Sequence, residues 1–250
     1  MNDRSSRPHH SPNRTSAEVE ALSVRAGVAP STAHAILRRH GLQVLAACDR
    51  ATGEPIRRYE RTTPGELVHV DVKKLGRIPD GGGHKVLGRA QGRANQARAA
   101  GGGYLCLHTA LDDHSRLAYT ETLPDEKAAT CAAFLRRAHA WFASHGITIE
   151  RVLTDNAWAY RKTTWHTTCT DLHITPRFTR PWRPQTNGKV ERFHRTLLDE
   201  WAYHQPYTSQ TQRQTAFPNW LHWYNYHRPH TGIGGNTPAS RATNLTERHI

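Results

Sequence analysis

Three acidic side chains sit where a folded chain tends to gather reactive groups. Asp71 lies within "HVDVKKL", Asp155 follows the apolar run of "RVLTDNA", and Glu191 lies within "NGKVERFHRTL". A carboxylate at the end of an apolar run has two common uses. It accepts backbone N–H groups in a turn, or it offers oxygen to a hard cation. "LTDNA" suits both, so its neighbours in space must decide. Thirty-five residues separate Asp155 from Glu191. Asp112 and Asp113 compete for a role, but "LDDHSR" reads as hairpin-turn chemistry, with Asp112 close to the site. The 18 histidines form no HxxxH or HExxH pattern, which argues against zinc catalysis. Cys48, Cys106, Cys131 and Cys169 are far apart, with no CxxC pair. They read as reduced thiols of a cytoplasmic protein.

The elements that must position these acids can be read from periodicity. Val68, Val70 and Val72 alternate with Leu67, His69 and Asp71, the period of a strand, so Asp71 faces away from the valines. "YLCLHTAL" (104–111) is almost continuously apolar, as a buried central strand is, and "RLAYTETL" returns beside it after the turn. Asp125 is placed to cap a helix whose stripe is Cys131, Phe134, Leu135, Ala138, Trp141 and Phe142, with Gly146 ending it. A short strand then ends at Asp155. A helix near 163–172 and a short strand near 173–179 follow. After the proline-stiffened "RPWRPQTNG", Asn187 is placed to cap a helix with Val190, Phe193, Leu197 and Trp201 buried. Glu191 falls on the flank of that helix, grouped with Asn187, His194, Arg195 and Leu198. A last helix is expected over roughly 209–226. Trp141, Trp201, Trp220 and Trp223 are expected in the core.

This order predicts an α/β fold with a sheet of mixed direction. Residues 1–16 read as a disordered polar stub, 17–45 as a partial helix-turn-helix, 46–65 as a linker, 66–230 as the core and 231–250 as an irregular tail. Residues 76–103, rich in Gly and Arg, read as a flexible basic loop. In the helix-turn-helix, Arg38 and Arg39 are placed to meet phosphates.

Charge points to the partner. There are 34 Lys and Arg against 21 Asp and Glu, a formal net charge of +13, which favours a polyanion such as DNA. No apolar run is long enough to cross a membrane, and the N-terminus has no signal-peptide core.

Taken together, "HVDVKKL", "LTDNA" and "RPQTNGKVERFHRTL" resemble the signature blocks of the integrase catalytic core. That family includes retroviral integrases and insertion-sequence transposases with an Asp, Asp, Glu triad. "WLHWYNYHRPHTGIGGNTPASR" is similar to the insertion-sequence branch, and the likeness spans roughly 17–245. The resemblance implies an RNase H-like mixed five-stranded sheet flanked by helices. It implies that Asp71, Asp155 and Glu191 together hold two divalent metals, Mg²⁺ or Mn²⁺, with Asp71 bridging both. It implies a transposase that cleaves 3′ ends and transfers strands between terminal inverted repeats and target DNA, working as at least a dimer in the bacterial nucleoid. Lys189, Arg192, Arg195, Arg180 and Arg183 would then line a salt-sensitive DNA track. Asn156 and Asn187 would support the carboxylates or the DNA. A non-catalytic, DNA-binding remnant acting as a repressor is the second expectation, because the stub at 1–16 is shorter than the helix-turn-helix region usual in that branch. A plain RNase H-type nuclease is less consistent with the helix-turn-helix and the tail.

Overall fold

The computed structural model describes residues 60–98, 103–179 and 187–242, together with Thr32, Ala35, Ile36 and Arg39. The chain divides between residues 58 and 59 into two units. The four described residues of the first unit are helical. The rest of the expected helix-turn-helix over 17–45, including Arg38, lies outside the described residues. The second unit carries all three acids.

A five-stranded sheet organises this second unit, in the order β3-β2-β1-β4-β5. The strands are β1 (Val68–Gly76), β2 (Tyr104–Asp112), β3 (Ala118–Leu123), β4 (Arg151–Thr154) and β5 (Thr175–Phe178). β2 pairs antiparallel with both β1 and β3, while β4 runs parallel to β1 and β5 parallel to β4. The mixed direction expected from the sequence is therefore present, and β1 is the middle strand.

Alternation along β1 loads the two faces differently. Val68 and Val70 join a core with α3 (Ala128–Ser144) and α4 (Thr163–Asp171), through Phe134, Leu135, Phe142 and Trp165. Leu75 joins the opposite core with Leu107 and Leu111 of β2. That second core is closed by α5 (Gly188–Leu197) and α7 (Phe217–Tyr226), with Val190, Phe193, Leu197, Trp220 and Tyr224 buried. Period-2 strands covered by apolar stripes on both sides give a three-layer sandwich. Asp125 serves the start of α3 from outside the N-cap position, its Oδ1 accepting from Lys127 N–H (3.0 Å) and Thr130 Oγ1–H (2.6 Å).

Three segments and one tryptophan differ from the sequence expectation. The supposed flexible loop folds as α1 (His84–Leu87) and α2 (Arg89–Arg98). Its Ala, Arg and Gln are good helix formers without an apolar stripe, so periodicity could not reveal them. Gly92 makes that pair possible, because a Cβ there would lie 2.5 Å from His84 Cα. The last expected helix is two, α6 (Gln210–Thr215) and α7, with Pro218 in the first turn of the second. Trp223 is 42% exposed on α7 rather than in the core. The expected irregular tail contains α8 (Pro238–Arg241), held by reciprocal Thr237–Ser240 capping, and it buries Ala239 and Ala242.

Gly65 locks the start of β1 in place. Its N–H donates to Asp112 Oδ1 (2.8 Å) and its carbonyl accepts from Glu150 N–H (2.9 Å). Its φ is +84°, and an added Cβ would lie 2.1 Å from the Thr148 carbonyl oxygen. A positive φ costs a non-glycine residue about 1–3 kcal/mol before any clash is counted. Gly65→Ala should therefore lower the melting temperature clearly; an unchanged melting temperature would show that this junction is not under constraint.

Candidate active site

Parallel pairing brings the first two acids together. Val68 pairs with Val152 and His69 with Leu153. Two residues beyond the second pair come Asp71, on β1, and Asp155, the residue after β4, so the parallel pairing leads them to the same end of neighbouring strands. Both line a cavity of about 170 Å³, with Val72, Glu126, Cys131, Ala157, Trp158, Ala159 and Tyr160. Asp155 serves both uses open to a carboxylate at the end of an apolar run. Its Oδ1 accepts from Ala157 N–H (2.9 Å), as in a turn, while the carboxylate also lines the cavity.

Glu191 is exposed in the first turn of α5. One turn on, His194 is buried and reaches across β1 and β2: its Nε2 lies 3.1 Å from Thr109 Oγ1 and its Nδ1 3.4 Å from Asp71 Oδ2. Thr109 is the cross-strand partner of Asp71, so His194 covers that pair from above.

The charge of Asp71 reaches both of the other acids. Burial raises the Asp155 carboxyl above its ordinary value, and the charge of Asp71 raises it further. Burial and the charge of Asp71 do the same to Glu191, partly opposed by His194 and Lys73. Like charges that disfavour one another's ionisation are what a bound cation relieves. Their oxygen donors suit a hard divalent cation. The fit is to the Asp71–Asp155 pair. Among the described residues, no three His, Cys, Asp or Glu side chains stand close enough together to hold a metal ion. The expected three-way convergence is thus not closed here, with Glu191 exposed in the first turn of α5.

The other expected site residues take varied positions. Asn156 donates to the Thr179 carbonyl (2.8 Å) and also pairs with Arg161, tying the loop after β4 to the end of β5 instead of supporting a carboxylate. Arg192 and Arg195 are exposed on α5, and Arg39 is exposed in the first unit. Arg180 and Arg183 lie outside the described residues. Asn187 stands at the N-cap position but makes no capping hydrogen bond; it is 4% exposed, and its Oδ1 lies 3.0 Å from His69 Nδ1. Lys189 does not simply face outward as a phosphate contact, for its Nζ lies 2.6 Å from Asp113 Oδ2.

Sequence reasoning missed two features. Glu126 lines the cavity as a further carboxylate, paired with Lys74 Nζ at 2.5 Å. Its only signal was its place in the β3–α3 connection. Asp112 behaves as expected of a turn acid, accepting from Ser115 N–H and Oγ1–H (both 2.7 Å). Asp113 does not: it is fully buried and accepts from His69 Nε2–H (2.8 Å), Lys189 and Arg61 N–H (2.8 Å).

Burial alone would raise the Asp113 carboxyl, but its bonds from His69, Lys189 and Arg61 prevail and hold it well below the usual carboxylate range. Folding therefore favours the ionised form. The stabilisation is complete above the ordinary value of 3.8 and is lost as pH falls through the lower folded value. Asp113→Asn should destabilise most near neutral pH, with the two melting temperatures converging in acid. A gap that does not change with pH would contradict this.

Comparison with known proteins gives this geometry a family. Two family models, each described as integrase core domain, match residues 61–184 and 172–238. An integrase-like ORF3 protein of Spiroplasma virus SpV1-C74 is 26% identical over 113 residues, 40% of this chain and 31% of that protein, so the match spans about a third of the relative's length. The HTLV-2 integrase catalytic core domain, solved in complex with magnesium in a dimeric form, superposes with a TM-score of 0.50 at 17% identity, covering 72% of this chain and 98% of that one. A chain of the simian T-cell lymphotropic virus intasome superposes with a TM-score of 0.55 at 18% identity, over 94% of this chain and 76% of that one. The mixed sheet, its flanking helices and the matched span from 61 to 238 have one conclusion: the chain belongs to the integrase core domain family.

Proposed function

We propose that the chain is a transposase: a metal-dependent polynucleotidyl transferase that cuts DNA at the 3′ ends of a mobile element and joins them to target DNA. One observation carries this reading. Asp71 and Asp155 share a cavity, and Asp71 also acts electrostatically on Glu191, within an integrase core.

Asp71, Asp155 and Glu191 would hold two Mg²⁺ or Mn²⁺ ions, Asp71 contributing to both. Such ions, when bound, would supply activation of an attacking oxygen and charge stabilisation of a leaving one. The chain's own groups would do the rest. His194 holds Asp71 against Thr109, the Asp155–Ala157 turn fixes the second carboxylate, and Asn156 anchors that turn to β5. No covalent enzyme intermediate is needed, since water and then a DNA 3′-hydroxyl serve as nucleophiles. Cys131, the thiol of the cavity, fits this absence: burial raises it to about 12, so it stays protonated.

The basic excess suits two DNA partners, the terminal inverted repeats and the target. Arg192 and Arg195 beside Glu191 are the proposed phosphate contacts of the core, with Arg180 and Arg183 leading to them. Arg38 and Arg39 would serve the helix-turn-helix over 17–45. Joining two ends calls for at least a dimer, working on the nucleoid. The HTLV-2 core solved as a dimer with magnesium supports the metal and the dimer by analogy.

The competing reading is a repressor-like remnant that binds DNA without reacting. The exposure of Glu191 favours it, and one assay separates the two. Wild type should join inverted-repeat ends to target DNA only with Mg²⁺ or Mn²⁺. Asp155→Asn should lose at least about a hundredfold in joining while binding the same DNA within twofold. Wild-type joining by that variant would refute the catalytic assignment, and a wild type that binds but never joins would favour the remnant.

A further inference from the structure

Beneath the acids lies a buried polar network that neither core explains. His69 and Asp113 are fully buried, and Asn187 nearly so. His69 Nε2 donates to Asp113 Oδ1 (2.8 Å), and His69 Nδ1 meets the Asn187 side-chain amide (3.0 Å). Lys189 Nζ binds Asp113 Oδ2 at 2.6 Å and also the Asp113 carbonyl at 3.3 Å. Arg61 N–H completes the Asp113 carboxylate at 2.8 Å.

Placement gives this network its meaning. His69 precedes Asp71 by two residues and so lies on the same face of β1. Asn187 precedes Glu191 by four residues, one helical turn, and so lies on the same side of α5. Lys189 sits between them. The network therefore bridges the two elements that carry Asp71 and Glu191, one step behind each acid. Burying charge is a poor way to gain stability, since a well-packed apolar group serves as well or better. Directional bonds instead fix a helix against sliding and rotation, which the apolar contacts of Val190 and Phe193 restrain less sharply.

We infer that His69, Asp113, Asn187 and Lys189 are positioning residues that set the register of Glu191 against Asp71, and that the ammonium of Lys189 serves Asp113 before it serves DNA. This rests on the proposed catalytic roles of Asp71 and Glu191.

Lys189→Gln, Lys189→Arg and His69→Gln in the full chain test the inference. Lys189→Gln should speed amide hydrogen exchange in the first turn of α5 while leaving the exchange of β1 and β2 unchanged. Its joining turnover should fall about 10–100-fold, the range seen when supporting residues of a metal site are removed. Its KM for DNA should stay within twofold. Lys189→Arg should recover most of the turnover. A raised KM at unchanged turnover would show that Lys189 is a DNA contact, and wild-type exchange and turnover would show that the network positions nothing. Should Lys189→Gln fail to fold, the same readouts on His69→Gln decide. Asp155→Asn is the control: if it joins DNA normally, the catalytic reading fails, while hydrogen exchange still judges the register on its own.

Discussion

Repulsion among carboxylates is the constraint on which this structure turns. Burial makes Asp155 and Glu191 resist ionisation, and the charge of Asp71 adds to that resistance in both. Left alone, such groups would move apart. The fold opposes this for one pair, since the parallel pairing of β1 and β4 leads Asp71 and Asp155 into one cavity. Glu191 is placed differently, exposed in the first turn of α5. Two acids are thus placed by the sheet and the third by a helix.

That asymmetry matches the rest of the architecture. The face of the sheet beneath α3 and α4 is mainly apolar, with Phe134, Phe142 and Trp165 packed around Val68 and Val70 and with His108 buried against Phe134. The face beneath α5 mixes an apolar patch around Phe193 with buried His69, Asp113 and His194. Polar groups placed under a helix fix its register at the cost of desolvation. They occur where β1 and α5 meet, the junction that carries two of the acids.

Much of this was legible in the sequence, for physical reasons. Alternation of Val68, Val70 and Val72 told which way Asp71 points, because a strand has period two. The stripe of α3 and the apolar start of β4 were equally plain. Features without periodicity were not. α1 and α2 have helix formers but no apolar face, and only the close approach at Gly92 reveals why they pack. Trp223 lies about 100° around the α7 axis from Tyr224, to one side of the buried stripe of Phe217, Trp220 and Tyr224, and so stays exposed. Asp113 was hidden more deeply: it is one residue from a true turn acid, and its partners His69 and Lys189 are distant in sequence. Glu191 was identifiable as a candidate, but a spacing of 35 residues says nothing about which way its side chain turns.

The central claim is that Asp71, Asp155 and Glu191 share bound cations. Diffraction from crystals soaked in Mn²⁺, recorded at the manganese absorption edge, addresses it without reference to activity. The account predicts anomalous density in the cavity between Asp71 and Asp155, with the Glu191 carboxylate turned in to complete the coordination. Manganese bound elsewhere, with that cavity empty at saturating concentration, would contradict it.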